Sequence, residues 1–294
     1  MNKLLLPCLM CFCFSQTFSQ KVDKKLTKDI AAILEGFKGN IGIYVHDLNN
    51  NKTVAINADS IFPTASMVKV PILIGTMDKI NKGELSYHQT LTYKDSLLYA
   101  GSDILGSFKT NETIELSKVI LLMLSTSDNT ASLWLQSLAG GGKRINQIMD
   151  SFGLAITRVN SRTPGREANR NAYGWGETSP KEMATIIEKI VKHEIISDSA
   201  SEKMLRLLSR NYWDEEALSQ IPADVFVASK SGAVNASRSE VVFVNGKRAK
   251  YIFCICTKNN TDQSWNSSNE AWVITRKISA LLWQRCQTYT LDNF

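Results

Sequence analysis

Apolar residues recur along the chain in two rhythms. Between residues 21 and 37 they fall at Val22, Leu26, Ile30, Ile33 and Leu34, the spacing of a helix with one buried stripe. Ile41, Ile43 and Val45 then alternate with their neighbours, Asn49-Asn50-Asn51 interrupts, and residues 53–57 resume the extended pattern. This predicts a strand, a tight turn and a second strand. From Ser66 to about Leu218 helical periodicity dominates, over residues 68–80, 116–124, 131–138, 145–152, 183–191 and 201–208. Gly140-Gly141-Gly142 reads as a helix-ending turn. Lys143 after it does not make a phosphate loop, because the required earlier Gly and following Ser/Thr are missing. Strand character returns over residues 225–227, 241–244 and 251–256, with Asn245-Gly246 as a hairpin turn, and residues 272–283 are helical.

The order is therefore helix, two strands, helical block, three strands, helix. Strands split by a helical block predict an α/β fold of the two-lobe α+β kind. Its parts are a five-stranded antiparallel sheet carrying the N- and C-terminal helices, and an all-helical lobe inserted between strands. The expected boundaries are an α/β lobe over 20–60 and 219–294 and a helical lobe over 61–218, together one domain. The crevice between such lobes is where a site is expected.

Residues 1–19 do not read as part of that fold. Lys3 gives a positive start, residues 4–14 form an apolar run, and Thr17-Phe18-Ser19 places small residues at both cleavage-determining positions. The run is shorter than the roughly 20 residues that span a bilayer. A cleaved signal peptide and an exported protein, periplasmic or extracellular, are expected, with no stable membrane anchor. Cys8, Cys11 and Cys13 follow Pro7, Met10 and Phe12, not the small residue a lipoprotein signal needs.

Composition narrows the functional classes. With 44% hydrophobic and 21% charged residues, the chain is an ordinary globular sequence and not a disordered one. The net charge of +6 is scattered, without the basic stripe of a nucleic-acid binder. His46, His88 and His193 are far apart and in no metal-binding spacing, which predicts surface or satisfied histidines and no metal. Beyond the export segment only Cys254, Cys256 and Cys286 remain. Two apart on a strand, Cys254 and Cys256 share a face as packing residues, and a bond to Cys286 stays open. There is no cofactor motif, and a soluble monomer is expected.

Candidate chemistry lies in three short motifs. Ser66 and Lys69 are three apart at the start of the helical block, hence on one helical face. A lysine whose pKa is depressed by burial and nearby cations can accept the serine proton, and a helix N-terminus aims N–H groups at a developing oxyanion. Ser127-Asp128-Asn129 falls between two helices. Taken alone it is a helix cap; functionally, Ser127 relays a proton to a leaving nitrogen and Asn129 contacts Lys69 and substrate. Lys230-Ser231-Gly232 falls on a strand, where cation and hydroxyl can bind a carboxylate. Each motif alone is weak.

The set is not. Ser-x-x-Lys, Ser-Asp-Asn and Lys-Ser-Gly occur in that order, and together they resemble the motif triple of class A β-lactamases and penicillin-binding proteins. Val70-Pro71, Thr130-Ala131 and Thr178-Ser179-Pro180 extend the resemblance over essentially everything after the export segment. It implies a β-lactamase/transpeptidase-like fold, acylation of Ser66 by a β-lactam carbonyl, and an oxyanion hole from the N–H groups of Ser66 and Ala233. It further implies proton transfer through Lys69 and Ser127, and a carboxylate site at Lys230 and Ser231 that Arg238 can join. The loop between the lobes departs from the family. Class A enzymes carry Glu-x-x-x-Asn there, the glutamate activating the deacylating water. Aligned without gaps, Thr163 falls at the glutamate position; a shift of four residues offers Glu167 and Asn171 instead. Otherwise Glu167 would pair with Arg162, Arg166 or Arg170.

Three functions remain open on the sequence. The first is a secreted serine β-lactamase that confers β-lactam resistance. The second is a related serine hydrolase or slow-turnover penicillin-binding protein acting on a peptidoglycan peptide or ester. The third is a non-catalytic cell-wall binding module, against which stands the survival of Ser66, Lys69, Ser127 and Lys230 together.

Overall fold

The computed structural model describes residues 20–101, 103–209 and 211–288, so the expected export segment with Cys8, Cys11 and Cys13 lies outside the described residues. The chain enters with a two-residue strand, β1 (Lys21–Val22), and α1 (Lys24–Ile33), capped by Asp23, which accepts from Leu26 N at 3.0 Å. β2 (Asn40–Asp47), β3 (Lys52–Ile56) and β4 (Phe62–Pro63) follow. A 3₁₀ turn, Ala65–Val68, runs into α2 (Lys69–Asn81). The middle of the chain holds β5 (Thr90–Thr92), β6 (Thr113–Glu115), α3 (Leu116–Ser125), α4 (Asn129–Leu138), α5 (Gly141–Ser151) and β7 (Arg158–Val159). Then come α6 (Glu167–Tyr173), β8 (Gly176–Thr178), α7 (Pro180–Val191) and α8 (Asp198–Leu208). β9 (Phe226–Val234), β10 (Ser237–Asn245), β11 (Lys250–Lys258) and α9 (Glu270–Thr288) complete it.

The main sheet has six strands, not five, in the order β1-β3-β2-β11-β10-β9. The added strand, β1, pairs parallel with β3, so the sheet is not wholly antiparallel. Both its residues are exposed, and only backbone pairing defines it. The inserted lobe is not all helical either. It contains a small sheet, β4-β8-β7, and the hairpin β5-β6. The small sheet matters to the site, since it ties Phe62-Pro63, just before Ser66, to the segment that ends the inter-lobe loop.

Period-two alternation splits the sheet residues between two cores. Val241, Phe243, Ile252, Cys254 and Cys256 join the core of the helical lobe, over which α7 lies against β2, β10 and β11. Val242, Val244, Tyr251, Phe253 and Ile255 face the other way, onto α1 and α9. Cys254 and Cys256 are buried side by side, Sγ to Sγ 3.9 Å, while Cys286 packs against the opposite core. All three are free thiols, so no bond to Cys286 forms across the sheet.

Other expectations shift in detail. Gly140 and Gly141 take positive φ, 94° and 81°, and make the turn between α4 and α5. The β10–β11 hairpin is longer than the Asn245-Gly246 pattern implies. Pairing ends at Asn245 with Lys250, and residues 246–249 connect the strands because Ala249 is drawn fully into the core. The histidines are satisfied: His46 by Glu188 and Asn51, and His88 by Glu115; His193 lies 3.7 Å from Glu202.

Candidate active site

Ser66 sits on the 3₁₀ turn and Lys69 begins α2. Three residues per turn stack i directly over i+3, which brings Lys69 Nζ to 3.1 Å from Ser66 Oγ. Lys69 is fully buried. Its Nζ also lies 2.6 Å from Ser127 O, 2.9 Å from Ser127 Oγ and 3.0 Å from Asn129 Oδ1. That is four acceptors for an ammonium with three N–H groups. A neutral amine fits better. Its two N–H groups satisfy the carbonyl and the amide oxygen, and its lone pair is left to a serine hydroxyl. Burial, and then the nearby Lys230 ammonium, drive the Lys69 pKa well below the ordinary lysine value, which supplies that neutral amine.

Ser-Asp-Asn divides between capping a helix and contacting Lys69. Asp128 is the helix cap: its carboxylate accepts from Ala131 N at 2.7 Å and also from Ile104 N and Leu105 N. With Asp128 fixed, Ser127 and Asn129 turn to Lys69. Ser127 adopts φ 61° to do so, a strained conformation for serine of the kind that gathers at functional sites.

The third motif closes the site from β9. A Cβ on Gly232 would stand 2.6 Å from Thr64 O and 2.7 Å from Ser66 N, so only glycine lets β9 approach the turn that carries Ser66. Lys230 is fully buried beneath this edge, its Nζ donating to Ser231 O at 2.9 Å. Burial brings its pKa down to about 8 although the Glu240 carboxyl works the other way. Two hollows open on either side of Ser66 and Ala233, which line both. One, of about 460 Å³, includes Ser127 and Ser231. The other, of about 450 Å³, includes Asn129, Tyr99, Tyr173 and Trp175.

Ser66, Lys69, Ser127, Asn129, Lys230, Ser231 and Ala233 thus converge, while three expected residues do not. Glu167 begins α6, is exposed, and accepts only from Gly165 N, at 3.1 Å, among the described residues. It lines neither hollow, and neither does Asn171, which is exposed. The reason is a clasp the sequence does not reveal. Buried Glu177 on β8 accepts from Asn160 and Asn169 and pairs with Arg166 at 2.5 Å, which fixes the loop and turns the start of α6 outward. Thr163, at the glutamate position by direct count, is buried against Gly142 of α5. Arg238 borders the first hollow but its Nη groups serve the protein itself. They donate to the carbonyls of Val234, Asn235, Ser237 and Ser264, and the guanidinium lies 4.5 and 4.6 Å from the Trp265 and Trp272 rings. The residue that stands opposite Ser231 on β10 is Glu240. Tyr99, Trp175, Trp213 and Glu240 are site residues that sequence reasoning missed, for no motif marks them.

Residues 25–286 match the profile of the β-lactamase enzyme family. The chain is 24% identical over 235 residues to β-lactamase VEB-1 of Pseudomonas aeruginosa, covering 78% of this chain and 79% of that one. It is 25% identical over 272 residues to β-lactamase PSE-4 of the same organism, covering 92% of each. Among solved structures it resembles PBP-A, with a TM-score of 0.81 at 22% identity over 91% of this chain and 98% of that one. A class A β-lactamase from Mycobacterium abscessus gives 0.78 at 20% identity over 90% and 100%.

Proposed function

Since the chain belongs to the β-lactamase enzyme family and has the fold of its class A-like serine hydrolases, we propose that it acts on β-lactams through a Ser66 acyl-enzyme. The observation that carries this reading is the 3.1 Å contact between Ser66 Oγ and a buried lysine whose surroundings favour the neutral amine. Ser66 Oγ bonds to the lactam carbonyl carbon as its proton passes to Lys69 Nζ. The carbonyl electrons move onto oxygen, held by the N–H groups of Ser66 and Ala233. When they return, the C–N bond breaks, and Ser127 hands the leaving nitrogen a proton that Lys69 replaces. Lys230 and Ser231 hold the substrate carboxylate. The N-terminal pattern of residues 1–19 supports export of the mature enzyme.

A second reading concerns release. The exposed position of Glu167 favours slow deacylation, as in a penicillin-binding protein whose own substrate is a peptidoglycan peptide or ester. Intact-mass time courses with benzylpenicillin test both. Wild type should gain the full mass of the drug, and Ser66→Ala should gain nothing. An adduct that persists after free drug is removed supports slow release; one that vanishes within seconds supports a resistance β-lactamase. No adduct and no drug consumption would sink the reading.

A further inference from the structure

We infer that the hollow on the Ser127 side selects substrates whose leaving arm carries a positive charge. The inference rests on the acylation reading and adds a substrate class to it. Ser127 lines this hollow and not the other, whereas Asn129 lines only the other. The group that Ser127 protonates is the leaving nitrogen, so whatever that nitrogen carries projects here.

The walls of the hollow suit a cation. Glu215, Glu216 and Glu240 all border it. Glu216 is paired with Arg276 at 2.6 Å, and the one arginine on the wall, Arg238, is stacked on Trp265 and Trp272. Glu215 is exposed and has no hydrogen bond or ion pair among the described residues. Glu240 is 3% exposed and accepts from Ala217 N through Oε2, while its Oε1 has no partner. Trp213 adds an aromatic wall that is 42% exposed, anchored by its Nε1 to Thr126 O at 3.0 Å. The exposed Glu215 carboxylate beside an open indole attracts an organic cation through charge and through the ring quadrupole together. The carboxylate of the substrate keeps its own anchor at Ser231, above the Lys230 charge, so the hollow suits an arm with a cation beyond an anion.

Two cephalosporins with the same thienylacetyl side chain test this: cephaloridine, whose arm is a pyridinium, and cephalothin, whose arm is a neutral acetoxymethyl. The readout is the ratio of their Ser66 acylation rates in wild type, Glu215→Gln and Trp213→Leu. Both variants alter exposed side chains, and comparing ratios cancels the intrinsic reactivity of the two drugs. The expected ratio in wild type exceeds that in either variant by about fivefold or more, the range of one cation–aromatic or ion-pair contact. Equal ratios in all three proteins, with acylation proceeding, would overturn the inference and leave the acylation reading standing. If neither drug acylates, the acylation reading fails, and titration with benzyltrimethylammonium decides the hollow. Saturable quenching of tryptophan fluorescence that Glu215→Gln abolishes supports it; absence of quenching in wild type overturns it.

Discussion

Ser231 and Glu240 face each other across the β9–β10 pair, so a buried carboxyl stands beside the hydroxyl proposed to receive the substrate carboxylate. Burial pushes the Glu240 carboxyl up to about 8, against the Ala217 N–H and the Lys230 charge that favour its ionised form. Lys230 is brought down to about 8. Below that pH the pair carries one positive charge, and well above it one negative charge. Acylation by benzylpenicillin, an anion, should therefore fall as pH rises through about 8, and Glu240→Gln should make the fall shallower. A rate that stays flat from pH 7 to 9.5 would contradict this coupling.

Glu167→Gln should change neither acylation nor release of a penicillin by more than about twofold, the usual range for an exposed side chain. Single-turnover mass spectrometry reads both steps. Accumulation of adduct in the variant alone would show that Glu167 reaches Ser66 during the reaction after all.

Gly232→Ala should lower acylation on the order of 100-fold, because the added methyl pushes β9 away from Ser66 and opens the proposed oxyanion hole. Overpacking at this contact should also cost about 1–3 kcal/mol of stability. Urea unfolding and acylation kinetics measure the two effects. Wild-type acylation in this variant would mean that β9 can retreat without moving the Ala233 N–H.

Far from the site, His46 and Glu188 pair at 2.9 Å between β2 and α7. Burial opposes protonation of His46, but its ring nitrogens meet Glu188 and the Asn51 Oδ1, both acceptors, and its pKa is raised overall. Burial likewise opposes ionisation of Glu188, yet His46 and Lys192 hold its pKa near about 2. The histidine contribution is complete below the unfolded value near 6.5 and fades as pH rises through the raised folded value. The glutamate contribution is complete above about 4.5 and fades toward about 2. The pair should thus stabilise most between about pH 4.5 and 6.5, by on the order of 1–3 kcal/mol. Wild type should lose more denaturant resistance than His46→Asn between pH 5.5 and 8.5; equal losses would rule the pair out as the cause.

The parts legible in the sequence were those that bury an apolar stripe or carry a motif. α3, α4 and α7 follow their periodicity, and Ser66, Lys69, Ser127 and Lys230 converge as their order implied. β1 was not legible, because two exposed residues held by backbone pairing leave no pattern. α6 was missed for a related reason: none of its side chains is buried. Glu240 could be placed opposite Ser231 only by knowing that Val234 pairs with Ser237, and Asn235-Ala236 between them has no glycine to announce a tight turn. The outward position of Glu167 depends on Glu177, ten residues away and in no motif.

The sheet that keeps Cys254 and Cys256 apart from Cys286 has a practical corollary. Folding of the described residues does not wait on an oxidant, so material made in a reducing bacterial cytoplasm, with residues 1–19 left out, should be the same folded species as that material after exposure to an oxidising buffer.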